Sequence, residues 1–257
     1  MSTQNYQGAA RRIGWTGMLL LIAVLVISAI EQKQESMIRN IDIDITPLED
    51  STLLIQEGDI ILSLDRGFGY RFDERSLRDL DVERIERVLE KEPFVLNADV
   101  HVNAENVVKI GVQQREPVLR IIDKNGLNYY LDGDGYKMPL SNHFTTRTLV
   151  ATGNIPPHVP DFQERKRHTL RALFDLSQYI LEDEFLWTMI EQIHVTSNGE
   201  FVFIPLIGDQ TIVFGDLENM EEKFRNLKAF YDRAVPVSGW RKYKTINLKY
   251  RGQVVCS

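Results

Sequence analysis

The stretch PFVLNADVHVNAENVVKIGVQQREPV, residues 93–118, decides the fold of the first half of the chain. In Phe94–Val102, and again in Val108–Gln114, apolar residues alternate with polar ones, a pattern typical of half-buried β-strands. Asn103–Asn106 between the two segments is turn-like, and Pro117 ends the second segment. The stretch therefore predicts two consecutive strands of one sheet.

The residues that can cover this sheet lie upstream of it. Asp81 can cap a helix in which the apolar residues of Val82–Leu89 recur at helical spacing. A shorter helical stretch covers Glu57–Leu64, and the alternating isoleucines of Ile41–Ile45 predict another strand. The order strand, helix, helix, strand, strand predicts a small α/β domain within residues 31–117, large enough to fold alone.

Further upstream, the run IGWTGMLLLIAVLVISAI at residues 13–30 contains no charge. At about 1.5 Å per residue, a helix of this length nearly spans a hydrocarbon core of about 30 Å, so the run predicts a transmembrane helix. A cleaved signal peptide is the alternative, but Ile27 and Ile30 spoil the small-residue spacing around Ser28 and Ala29. We therefore expect the helix to remain as an anchor.

Basic residues near the ends of this run set its orientation. Arg11 and Arg12 precede it without a neighbouring acid, whereas Lys33 after it is embedded between two glutamates. The positive-inside rule therefore predicts that residues 1–12 form a cytoplasmic tail and that the chain after the span is extracytoplasmic.

Downstream of Pro117, residues 118–257 show short strands, tight turns and two helices. Antiparallel hairpins are predicted first, and helical periodicity follows at Phe162–Leu181 and at Leu217–Ala234. The chain finishes in a predicted strand near Thr245–Tyr250. We therefore expect an α+β chain with a single transmembrane helix, a small α/β domain and a larger strand-rich domain with helices.

Charge and motif content narrow the possible functions. The formal net charge is −7, which disfavours a nucleic-acid partner because phosphate neutralisation needs a basic face. The single cysteine, Cys256, cannot form an intrachain disulfide, and the five histidines lack metal-ligand spacing, so we expect no metal and no cofactor. No nucleophile-elbow, zinc-protease or phosphate-loop motif occurs, which favours a protein without catalytic residues.

Two acidic groups, DGDG at Asp132–Gly135 and Glu182–Glu184, offer an enzymatic alternative. The residues after DGDG lack the glycine and glutamate of a calcium loop, so we interpret the motif as a hairpin turn. Acid pairs could in principle flank a glycosidic bond, which would make the protein an anchored extracytoplasmic cell-wall hydrolase. We interpret both groups as solvated turns or helix ends.

The C-terminal segment is the most informative candidate site. Residues 241–257 contain five basic residues and no acidic one, a field that could orient an acidic partner. Alternation from Ile246 to Arg251 predicts an edge strand that either accepts a partner strand or is protected from pairing by its charges. The candidate partner-binding residues are Ile246, Leu248, Lys249, Tyr250, Arg251, Gly252, Gln253 and Val254.

Four segments, in this order behind an anchor, resemble the bacterial cell-division family FtsQ/DivIB. They are Pro93–Val100, VQQREPV at Val112–Val118, YYLDGDG at Tyr129–Gly135 and INLKYRG at Ile246–Gly252. The resemblance covers most of the chain. It implies that residues 31–117 are a POTRA-like recruitment domain and that the last strand receives a partner strand.

The resemblance also implies a function and a location. Members of the family are non-enzymatic divisome scaffolds that link FtsB- and FtsL-type proteins to septal peptidoglycan synthesis. We therefore expect a single-pass type II protein of the cell inner membrane, with most of the chain in the periplasm at the division septum. A POTRA-type chaperone for secretion or outer-membrane assembly is a further alternative, which the short, helix-interrupted C-terminal segments disfavour.

Three further residues receive an interpretation. Arg115 and Glu116 either mark the recruitment surface or form the polar end of a strand that proline terminates. The residues around Cys256, and not the resemblance, suggest that it is a small hydrophobic residue beside two valines; a reactive thiol is the alternative, but no activating neighbour occurs in the sequence.

Overall fold

A computed structural model describes residues 15, 18–26, 28, 37–72, 76, 80–239 and 242–257. The predicted tail at residues 1–12 lies outside the described residues. The described positions of the predicted span, at 15, 18–26 and 28, are helical. Within the part of the chain that the structure describes, no helix is both long and apolar enough to be a candidate for crossing a membrane.

The chain divides into two compact units. The first takes in the chain up to Thr46 together with Gln56–Gln113, and the second combines Pro47–Ile55 with Gln114–Ser257. In the second unit, Gln114 holds the Pro47–Ile55 segment, because its side-chain oxygen accepts from the Leu54 amide at 2.6 Å and its side-chain nitrogen donates to the Thr52 carbonyl at 3.2 Å.

The first unit has the element order that the sequence predicts, and its three strands form a sheet in the order β1-β3-β2 with β1 parallel to β3. Its elements are β1 (Asn40–Thr46), α1 (Glu57–Phe68), α2 (Val82–Leu89), β2 (Val95–Val102) and β3 (Val107–Gln114).

Helix α2 begins as the sequence predicts, because the Asp81 carboxylate accepts from the Arg84 amide at 3.0 Å. Helix α1 is longer than predicted and ends at Gly69, whose φ of 76° closes the helix in the left-handed region. Ile85 of α2 and Ile60 of α1 are fully buried, as is Val108 of β3. The apolar faces of both helices are thus buried with this sheet in one core.

The second unit is built on a mixed sheet of nine strands in the order β12-β11-β10-β9-β8-β7-β4-β5-β6. Its strands are β4 (Pro117–Ile122), β5 (Asn128–Asp132), β6 (Lys137–Met138), β7 (Leu149–Gly153), β8 (Ile190–Val195), β9 (Phe201–Pro205), β10 (Thr211–Gly215), β11 (Thr245–Asn247) and β12 (Val255–Cys256). Its helices are α3 (Thr169–Leu181), α4 (Glu184–Met189), α5 (Met220–Ala229) and α6 (Val235–Ser238), with a π-helical segment at Phe230–Ala234. The prediction of an α+β chain with a large strand-rich sheet is confirmed.

The core of the second unit joins this sheet to α3, α4 and α5. Phe224 of α5 stacks on Phe203 of β9 with ring centroids 5.8 Å apart and on Tyr179 of α3 at 5.0 Å. Helix α3 starts seven residues after the predicted start at Phe162, because Phe162 is buried in a preceding turn where its ring contacts His158.

Candidate functional site

The candidate edge differs in extent from the prediction. Strand β11 ends at Asn247, and the chain turns back so that Val255 and Cys256 pair antiparallel with it, while β10 pairs parallel on its other side. The turn is closed by the Gln253 amide donating to the Tyr250 carbonyl at 3.3 Å and by Gly252 at φ 72°, which favours glycine. The prediction that the alternating segment from Ile246 to Arg251 is an edge strand is therefore wrong: β11 lies between β10 and β12, and β12 is the edge.

Strand β12 forms the end of the nine-stranded sheet. The Ser257 and Thr245 backbones exchange hydrogen bonds, each at 3.1 Å. In an antiparallel pair, hydrogen-bonded and non-hydrogen-bonded pairs alternate, so the neighbouring pair of Cys256 with Ile246 is non-hydrogen-bonded. The Cys256 amide and carbonyl therefore point away from β11, toward the open edge.

The candidate partner-binding residues have different environments. Ile246 and Leu248 are 0% and 2% exposed and belong to the core, so their side chains support the edge from inside. Tyr250 is 52% exposed at the turn. Val254 is half-buried against the core. The other predicted residues are exposed, namely Lys249, Arg251, Gly252 and Gln253.

Lys249 does not present an uncompensated charge. Its ammonium lies 2.5 Å from a Glu200 carboxylate oxygen, and this hydrogen bond raises the pKa of Lys249. The Gly252 amide donates to Glu222 Oε1 at 3.0 Å, so a second acid supports the turn. The positive field predicted for this segment is thus reduced by two carboxylates, one directly before β9 and one in α5, which the local sequence does not reveal.

The two residues of the β12 edge are not among the predicted partner-binding residues. Val255 is 43% exposed, and Cys256 supplies the outward backbone groups. Burial raises the pKa of the Cys256 thiol, which agrees with its interpretation as a small hydrophobic residue. The glycine after Tyr250-Arg251 was the signal that could have predicted a reversal here.

The predicted recruitment residues lie elsewhere in the second unit. Arg115 is not an open surface residue: its side chain is 13% exposed, its guanidinium lies 2.6 Å from Asp132 Oδ2, and it stacks 4.2 Å from the centroid of the Tyr136 ring. Glu116 is exposed, and its pKa is raised by partial burial and by the nearby acids Glu49 and Asp50.

The DGDG segment forms the turn of the β5–β6 hairpin. Asp132 Oδ1 accepts from the amides of Asp134 and Tyr136, at 3.0 Å and 2.7 Å, which is a turn geometry typical of aspartate. Gly135 has a φ of 80°. Among the residues that the structure describes, no group of three or more histidine, cysteine or acidic side chains could hold a metal ion.

A strand-rich unit whose sheet ends in a two-residue strand, with the Cys256 amide and carbonyl directed outward, is a module suited to protein binding. A family model described as "FtsQ/DivIB, C-terminal related" matches residues 116–257, more than half of the chain. The chain therefore belongs to the FtsQ/DivIB family, which confirms the resemblance found in the sequence.

One curated relative extends this likeness. The chain is 28% identical over 184 residues to the "Cell division protein FtsQ" of Rhodothermus marinus. The match covers 70% of this chain and 66% of that protein, so it spans just under two thirds of the relative's length.

Proposed function

We propose that this chain is a non-enzymatic, membrane-anchored scaffold of bacterial cell division. Family membership and the similarity to a cell division protein support a role in division. The uncharged run at residues 13–30 and the preceding arginines support a single-pass type II anchor in the inner membrane, with residues 1–12 cytoplasmic and the bulk of the chain periplasmic at the septum.

The proposal assigns one task to each part of the chain. Residues 31–117 form a POTRA-like recruitment domain, which the order β1, α1, α2, β2, β3 supports. Residues 118–257 bind FtsB- and FtsL-like partners and so connect the anchor to the septal peptidoglycan synthase machinery. Glu116 remains a candidate recruitment residue because it is exposed, whereas Arg115 is held by Asp132.

The observation that carries the binding proposal is the outward direction of the Cys256 backbone groups at the end of the sheet. An incoming strand can bond these groups whatever its side chains, and neighbouring side chains then set its register. Tyr250, half-exposed beside this edge, supplies an apolar ring and a hydroxyl, features typical of an interface hot spot.

A proline substitution tests this edge directly. Cys256→Pro removes the outward amide and leaves the two hydrogen bonds between Ser257 and Thr245 in place. Binding of the full chain in detergent to its own organism's FtsB-like protein should weaken at least about tenfold, equivalent to about 1.4 kcal/mol, without a large change in Tm. Cys256→Ala is the matched control and should bind normally.

The edge proposal fails if Cys256→Pro folds and binds the partner as the unsubstituted chain does. Depletion separates the scaffold from the hydrolase alternative. Filamentous cells with unconstricted septa support a scaffold, whereas intact division with altered wall turnover supports a hydrolase.

A further inference from the structure

A second surface of the nine-stranded unit combines exposed apolar side chains with free cations. It lies around α4 and the loop between β9 and β10. Leu206 and Ile207 in this loop are 46% and 57% exposed. The Leu206 amide donates to the Met189 carbonyl at 2.8 Å, so the loop is held against the end of α4.

Between this loop and the start of β7 lies a cavity of about 150 Å³. Trp187 of α4 and Leu206 supply its apolar walls, and Arg120 and Arg147 supply two guanidinium groups. A groove of about 340 Å³ that includes Ile207 and Phe185 lies on the other side of the same helix and loop.

Neither arginine forms an ion pair within the part of the chain that the structure describes. Arg120 donates only to the neutral Asn128 side chain, at 3.1 Å, and Arg147 lies 5.6 Å from the Trp187 ring centroid. Glu191 also lines the cavity but forms no ion pair with either arginine in that part of the chain.

The cavity wall is held in place by bonds outside it. Thr146, directly before Arg147, is buried, and its hydroxyl donates to Asp50 Oδ2 at 2.8 Å. Arg120 lies opposite Val150 in the parallel pair of β4 and β7. The guanidinium groups therefore extend from backbone that is already ordered, which lowers the entropic cost of binding.

We propose that this cavity binds an acidic-apolar segment of a partner polypeptide. A carboxylate of the segment pairs with Arg147 and Arg120, because arginine forms short, charge-assisted bonds with carboxylates. The neighbouring apolar side chain covers Trp187 and Leu206. Tryptophan and arginine are the residue types that most often dominate binding energy at interfaces. The site uses no residue of the β12 edge, so an experiment that contradicts one of the two proposals leaves the other unaffected.

A pair of peptides tests the charge requirement on the full chain in detergent. The probe is the acetylated and amidated pentapeptide Ser-Glu-Leu-Leu-Ser, and the matched peptide has glutamine in place of glutamate. The readout is the indole N–H resonance of Trp187, assigned among the three tryptophans with Trp187→Phe. The glutamate peptide should shift this resonance saturably, with a Kd at least about tenfold lower than that of the glutamine peptide.

Two arginine variants locate the contact. Arg147→Ala should weaken binding of the glutamate peptide about tenfold. Arg225→Ala removes an exposed arginine from α5 and should leave binding unchanged. Equal affinity for both peptides, normal binding by a folded Arg147→Ala variant, or no shift at about 5 mM glutamate peptide would each overturn the proposal.

Discussion

The nine-stranded sheet ends in a hairpin on each side, and the two hairpins are stabilised differently. Both outer strands are only two residues long, at Lys137–Met138 in β6 and at Val255–Cys256 in β12. Short outer strands limit unwanted pairing with other chains. The two outer strands therefore have the same length, but different groups hold the turns of the two hairpins.

The β5–β6 turn is held by buried charges. Asp132 is 3% exposed and bonds two turn amides as well as Arg115. The chain after β6 is also tied down, because the Ser141 hydroxyl donates to the Leu54 carbonyl at 2.5 Å. This end of the sheet is thus closed by contacts within the second unit.

The β11–β12 turn is held by exposed groups. The side chains of Lys249 and Glu200 are 42% and 36% exposed, and the Gly252 amide bonds to Glu222 at the surface. Solvent weakens such pairs, so they can be exchanged for bonds to a partner at low cost. The comparison supports the proposal that β12, and not β6, is the edge that binds a partner.

The largest effect is expected at the buried turn. Asp132→Ala leaves Arg115 without its carboxylate partner and removes the acceptor of two turn amides. Breaking a buried pair by removing one member costs about 3–5 kcal/mol, so we expect the second unit to unfold at markedly lower urea concentration. Asp134→Ala, on the exposed side of the same turn, is the control and should cost less than about 1 kcal/mol.

Equal stability of the Asp132→Ala and Asp134→Ala variants would contradict the distinction between the two hairpins, because it would mean that the buried charge network contributes nothing at the β5–β6 turn.

The sequence predicted the elements of this comparison better than their contacts. The alternation around Val100 and Ile110 and the cap at Asp81 depend on neighbours a few residues apart, so the first unit could be predicted closely. Asp132 with Gly135 likewise indicated a turn through local hydrogen bonding.

The environment of the charged residues could not be predicted in this way. Arg115 precedes β4 and meets Asp132 at the end of β5, and Lys249 meets Glu200 from a sequence separation of 49 residues. The neighbours of these residues depend on the order of the strands in the sheet, where strands that are distant in the chain can be adjacent. The exposed Glu116 and the largely buried Arg115 therefore looked alike in the sequence.

A smaller effect is expected from pH at the β5–β6 side. His158 packs between the rings of Tyr129 and Phe162, with centroids 6.0 Å and 5.6 Å away. Burial first, and then the charge of Lys137, lowers the pKa of His158, while a hydrogen bond to the Gly135 backbone opposes this. The unfolded chain therefore binds this proton more tightly than the folded protein.

The contribution of His158 to stability should consequently fall as the pH drops below about 6.5, the pKa of an unperturbed histidine, with a slope of less than one proton, or under about 1.4 kcal/mol per pH unit. Urea titrations between pH 5 and 8 should show a shallower slope for His158→Phe. His168, whose pKa burial also lowers, leaves a residual slope. A slope that His158→Phe leaves unchanged, or that the exposed control His143→Phe reduces equally, would contradict this assignment.

The smallest effect on stability is expected at the β11–β12 turn, where the largest effect on binding rate should appear. Lys249→Ala and Glu200→Ala should each change Tm by less than about 2 °C, since exposed ion pairs contribute little. If an acidic partner competes with Glu200 for Lys249, Glu200→Ala should speed association and Lys249→Ala should slow it, and both differences should shrink as salt is added. Stopped-flow mixing at low and high salt measures these association rates.

Identical rates for the two variants would mean that Lys249 only holds the turn. A large loss of Tm in either variant would remove the distinction between the two ends of the sheet.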